Sequence, residues 1–335
     1  WTLDQGKRLF PAIGVGGTLG AIAGSSVPWT LGERIGSLAE SATGVLSLFN
    51  GDQLSAAVLM LLAAVMIELA VRFMLALDRR SKRHVGPSIG PPRSKSFDDI
   101  GLIDGIVFVS RSPYLLGIGL YIALIAVSST LIYFTQARLV TDAEDELVGR
   151  IALFGSLDML AQVFTLLVQL FVTGRLIRWI GIGGTLSVLP IITLAGFAAL
   201  WLVSGHEGVE GYQVFAVFAV FQALHRAGRY AVARPARETL FSVLSRDEKY
   251  KAKTVVDLCL YRGGDVAGAR LDASLTSAAA VTLGTMTFAV APLAAVWIVL
   301  GLALAAGQTR RHRRAAQEHA HPVPSDRPTN EGDTA

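Results

Sequence analysis

Runs of apolar residues about twenty long, separated by short polar or charged connections, recur from one end of this chain to the other. A helix needs roughly 20 mostly apolar residues to cross the hydrocarbon of a bilayer, and eight runs reach that scale: 10–28, 54–77, 114–134, 151–172, 185–203, 212–232, 255–273 and 278–307. The pattern predicts an all-α membrane protein of about eight transmembrane helices.

The connections sort by charge. Lys and Arg concentrate in the opening stretch, in "RRSKRH" (79–84), in "GRLIR" (174–178) and in "RRHRR" (310–314), whereas "VTDAEDEL" (140–147) and "SGHEGVEG" (204–211) are acidic and nearly free of base. Basic connections stay on the cytoplasmic side of a membrane, so both ends of the chain are expected in the cytoplasm and the protein in a cell inner membrane.

Composition agrees. Apolar residues make up 52% of the 335 and charged residues only 17%, against about a quarter charged in ordinary soluble domains. The net charge of +4 is accounted for by where the bases sit, so no nucleic-acid partner is expected. Cys259 is the single cysteine and cannot form an intramolecular disulfide.

Between the second and third runs, "DRRSKRHVGPSIGPPRSKSFDDIGLID" is rich in Pro, Gly and base and reads as a cytoplasmic linker. The expected organisation is 1–77 as two transmembrane helices closing an N-terminal half, 78–113 as linker, 114–307 as a six-helix half, and 308–335 as a disordered cytoplasmic tail. Six spans after a linker make one half of a 6+6 transporter. The chain starts at Trp1, and this count leads us to expect four further spans before it.

Gly16, Gly20 and Gly24 fall four apart, as do Gly264 and Gly268. That spacing lets helix backbones approach closely in lipid, as ordinary packing or at a moving interface.

Ionisable groups inside the hydrocarbon are costly and usually face a cavity or a partner. Glu68 and Arg72 are spaced to pair with each other along one helix. Asp158 is followed at i+4 by Gln162, which puts both on one face. In "FQALHRAGRYAVARPARE", Gln222, Arg226, Arg229 and Ala233 share a face, and two arginines there suit an anion. In "VVDLCLYRGGDVAGA", Asp257, Tyr261 and Asp265 share a face, with Arg262 three before Asp265. The competing reading is that these acids and bases neutralise one another across the helix pair without touching substrate.

Enzyme signatures are missing: no Walker GxxxxGK[ST], no HExxH and no CxxC. The Gly-rich "GVGGTLG" lies inside an apolar run with no strand before it, so it is not a phosphate cradle.

The connection "GRLIRWIGIGG" resembles the short Gly/Arg loop that the major facilitator superfamily repeats once per half. Gly174, Arg175, Arg178 and Gly181 match its sense, while the loop's usual Asp is missing here. The longer blocks "RPARETLFSVLSRDEKYKAKTVVDLCLYRGGDVAGA" and "DQGKRLFPAIGVGGTLGAIAG" resemble bacterial members of the ATP/ADP translocase branch, the ATP:ADP antiporter type, and the resemblance runs from Asp4 to about Gly307.

That resemblance implies a major facilitator helical bundle and alternating-access transport of a nucleotide or other phosphorylated anion, with no cofactor and no metal. Arg226 and Arg229 would hold phosphate, with Asp158, Gln162, Asp257, Tyr261, Arg262 and Asp265 completing the site and Gly174, Arg175, Arg178 and Gly181 forming a gating loop. Two alternatives stand beside it: a proton-coupled carrier of a non-nucleotide metabolite, and a non-transporting membrane scaffold or sensor that keeps the fold. The charges of "RPARETLFSVLSRDEKYKAK" then belong to a cytoplasmic connection, with "ETLFSVL" expected along the membrane surface.

Overall fold

The computed structural model describes residues 16–28, 30, 34, 51–84, 102–205, 211–244, 246–277 and 283–320. The opening basic stretch, residues 85–101 of the linker and residues 321–335 of the tail lie outside the described residues. Among those described, the regular structure is helical and there is no strand.

After a helical segment at 16–28 come α1 (Gly51–His84), α2 (Leu102–Arg111), α3 (Pro113–Ala143), α4 (Leu147–Phe171), α5 (Thr173–Ser204) and α6 (Gly211–Ala227). Helix α6 runs without a break through a π-helical turn, Gly228–Ala233, into α7 (Arg234–Leu240). Helix α8 (Arg246–Val255) likewise passes through a π turn, Val256–Leu260, into α9 (Tyr261–Ser277), and α10 is Leu283–Ala320. Among the described residues five helical stretches are long and apolar enough to cross a membrane: Ala56–Arg80, Pro113–Ala143, Leu147–Phe171, Thr173–Ser204 and Met286–Arg311. The runs expected at 212–232 and 255–273 are helical, but each is interrupted by a π turn and carries several charges.

Helix α5 lies antiparallel along α10, whereas α3 and α9, and likewise α4 and α6, run side by side in the same direction. In lipid no hydrophobic force drives apolar helices together, so close packing and interhelical hydrogen bonds must do it. The α3–α9 contact shows how. A Cβ at Gly264 would lie 2.5 Å from the Ala123 carbonyl oxygen, and one at Gly268 would lie 2.9 Å from the Thr130 side chain. Only hydrogen fits at either position. By contrast a Cβ at Gly16, Gly20 or Gly24 would meet nothing within 4 Å, so among the described residues that stripe has no helix against it.

The connections are better built than the sequence suggests. Ser112 caps α3 by accepting from the Leu115 N–H, and Pro113 follows at a position where a missing N–H costs nothing. Residues 102–111, expected in the linker, form α2 and pack against α8. Leu240 and Phe241 are buried in the core beside Tyr114, so the apolar side of "ETLFSVL" packs against the protein itself. Tyr114 donates to the Leu240 carbonyl at 2.9 Å and Gln308 to the Thr239 carbonyl at 2.7 Å, which satisfies backbone acceptors left at the end of α7. Gln308 itself is buried, so residues 308–320 of the expected tail continue helix α10.

Candidate functional site

The π turn at Gly228–Ala233 follows from the proline behind it. Pro235 has no N–H, and its ring crowds the carbonyl four residues earlier, that of Ala231. The helix widens instead, and the Arg234 N–H bonds five residues back to the Arg229 carbonyl. The Ala231 carbonyl accepts a hydrogen bond from the Thr173 hydroxyl at 2.8 Å. The second π turn, Val256–Leu260, shows the same five-residue reach, Tyr261 N–H to Val256 carbonyl, without any proline. Such bulges often mark functional sites because they re-aim side chains that a regular helix would turn away.

Between the two bulged helices and α3 lies a cavity of about 250 Å³, lined by Ile125, Arg229, Tyr230, Arg234, Arg237, Asp257 and Tyr261. Three guanidinium groups and one carboxylate face this space, a formal balance of +2. Arg229 is held firmly. It donates to the Ser129 hydroxyl at 2.9 Å and to the Tyr261 hydroxyl, and it lies 4.9 Å from the Tyr230 ring centre and 5.7 Å from that of Tyr261. Arg234, Arg237 and Asp257 have no side-chain hydrogen bond or ion pair among the described residues. Two unmatched guanidiniums on one wall are chemically suited to a multiply charged oxyanion, which they can grip by paired, charge-assisted bonds.

The residues singled out from sequence divide into three groups. Arg229, Asp257 and Tyr261 meet at the cavity. Arg226 does not join them: its guanidinium pairs with Asp158 at 2.7 Å, across from α6 to α4. The one-face argument put Arg226 beside Arg229, but the bulge at Gly228 changes the register between them. Arg262 and Asp265 pair within α9 at 3.3 Å, and Asp265 also accepts from Thr130 on α3 at 3.5 Å. Gln162 is half-buried one turn along α4 from Asp158 and does not line the cavity. Glu68 and Arg72 pair along α1 at 2.7 Å.

The Gly/Arg connection is helical rather than a loop. Residues 173–180 continue helically to Gly181, where φ of +67° breaks the run before the rest of α5. That left-handed conformation is the reason for glycine there. Arg175 and Arg178 bond back to the carbonyls of Phe171 and Gly174, and Trp179 is largely exposed.

Sequence reasoning missed Tyr230, Arg234 and Arg237. Pro235 was the available signal, since it marks where helical periodicity fails. It also missed a fork between α3 and α9, where Arg138 holds Asp272 with both nitrogens at 2.9 Å and Asp272 is buried. A buried polar seam joins α3 to α6: Gln222 donates to Gln136 at 2.7 Å, and Ser128 lies 3.3 Å from His225. Among the described residues no group of His, Cys, Asp and Glu could hold a metal ion.

A family described as TLC ATP/ADP transporter matches residues 1–307. No curated protein and no solved structure matches the chain.

Proposed function

The chain belongs to the TLC ATP/ADP transporter family, and from that premise we propose that it exchanges nucleotides across a membrane through the arginine-lined cavity. It is a multi-pass membrane protein and a transporter rather than an enzyme. In this reading the phosphates of a nucleotide sit against Arg234 and Arg237, and Arg229 lends its charge from a fixed position, with the Asp257 carboxylate on the same wall. Arg226, Asp158, Arg262 and Asp265 carry structural charge pairs, while Gln162 stays outside the site.

Supporting this is one observation above the rest. Arg229, Arg234 and Arg237 line a cavity of about 250 Å³ against the single carboxylate of Asp257, which leaves an excess of positive charge there. A bound polyphosphate would neutralise that excess.

The wider architecture we propose is a major facilitator bundle in an inner membrane with both ends of the chain cytoplasmic. Residues 1–77 would close an N-terminal half, and 114–307 would form the half that rocks about the site, with 173–181 as its gating connection. Family membership does not favour the metabolite carrier or the scaffold.

Exchange in proteoliposomes tests the function. Vesicles holding the purified protein and loaded with unlabelled ATP should take up external labelled ATP, and empty vesicles should not. Equal uptake by loaded and empty vesicles would count against exchange.

A further inference from the structure

The substrate cavity and the basic connection at 173–181 lie on different helices, yet a hydrogen bond joins them. Thr173 opens the short helical stretch before Gly181. Its hydroxyl lies 2.8 Å from the Ala231 carbonyl, inside the π turn of the neighbouring helix, and 3.1 Å from the Val168 carbonyl of the preceding helix. One hydroxyl has one proton, and the shorter contact is to the bulge.

That carbonyl needs a donor from elsewhere. Pro235 cannot supply the N–H that a regular helix would bring to Ala231, and Ala231 is buried at 1% exposure. A buried carbonyl without a partner in a membrane is costly. The bulge has a consequence at the cavity. Arg229 and Tyr230 are consecutive, and both line its wall, although neighbours in an α-helix point about 100° apart. Both residues lie within the wider turn.

We infer that Thr173 is a positioning residue for transport. Its hydroxyl completes the bulge that presents Arg229 and Tyr230, and it couples the 173–181 connection to the substrate cavity. Movement of that connection draws directly on Ala231, and through it on the cavity wall. This rests on the reading that the cavity takes the nucleotide.

Substitution at Thr173, read by ATP exchange in proteoliposomes and by equilibrium ATP binding, tests the coupling. Thr173→Val keeps the shape and removes the donor, and it should raise KM and Kd for ATP about five- to tenfold, as the loss of one buried hydrogen bond would. Thr173→Ser should restore wild-type values. Pro235→Ala returns an N–H to Ala231, so adding Thr173→Val to Pro235→Ala should change little further. If Thr173→Val does not give folded protein, Thr173→Ala poses the same question. Wild-type KM in the variant lacking the hydroxyl would overturn the inference, as would a Ser variant as impaired as Val, or a Val effect undiminished by Pro235→Ala. Arg234→Gln measured alongside separates the two levels. If it weakens ATP binding while Thr173→Val does not, the coupling alone falls; if it leaves binding unchanged, the cavity assignment falls.

Discussion

Arg226 closes on Asp158 at 2.7 Å across the gap between α6 and α4, so a charge that sequence spacing offers to substrate is already matched within the protein. Neither partner is fully buried, with side-chain exposures of 28% and 41%. Asp158→Asn should therefore lower stability by about 1 kcal/mol, the upper end of the range for a partly exposed ion pair. ATP affinity should stay near wild type. Melting temperature and ATP binding on the same preparation check both parts.

A second pair should be less tolerant. Arg138 grips Asp272 with two bonds of 2.9 Å, and the Asp272 side chain is only 8% exposed. Removing one partner strands a buried charge, which typically costs about 3–5 kcal/mol. Arg138→Lys keeps the charge but loses the planar fork. We expect Arg138→Lys to melt below wild type and Arg138→Ala lower still, in a detergent-solubilised thermal-shift series.

Two glycines separate crowding from conformation. Gly264→Val would drive a side chain into the Ala123 carbonyl and the Ala126 methyl, forcing α9 away from α3 at an overpacking cost of about 1–3 kcal/mol. Gly181→Ala meets no neighbour within 4 Å, but φ of 67° with ψ of −178° should cost it about 1–3 kcal/mol through backbone strain alone. A Gly181→Asn variant should recover none of the loss in the same melting assay, because φ of 67° with ψ of −178° is essentially open to glycine alone.

Much of the fold is legible because the bilayer imposes a simple rule: the runs at 114–134, 151–172 and 185–203 announce helices at 113–143, 147–171 and 173–204 through length and apolar content, though not that the last begins at Thr173. The Glu68–Arg72 and Arg262–Asp265 pairs were legible for a similar reason, since partners three or four apart on one helix must meet. The register beyond Gly228 was not. A one-face argument assumes an unbroken 3.6-residue period, and the π turn changes that period between Arg226 and Arg229. Arg234 and Arg237 were therefore read as charges of a connection although they line the cavity. Asp158–Arg226 and Arg138–Asp272 join residues 68 and 134 positions apart in the chain, and no local pattern records them.

The cavity itself gives the most direct test. Equilibrium binding of labelled ATP should be measured for wild type and for the Arg234→Gln, Arg237→Gln double variant, with adenosine as the uncharged comparison and melting temperature as the control for folding. Wild type should bind ATP well above adenosine. The double variant should lose at least about tenfold in ATP affinity, roughly the loss of one charge-assisted bond, with little change in adenosine binding or melting temperature. ATP affinity unchanged in a folded double variant would contradict the assignment of this cavity as the nucleotide site.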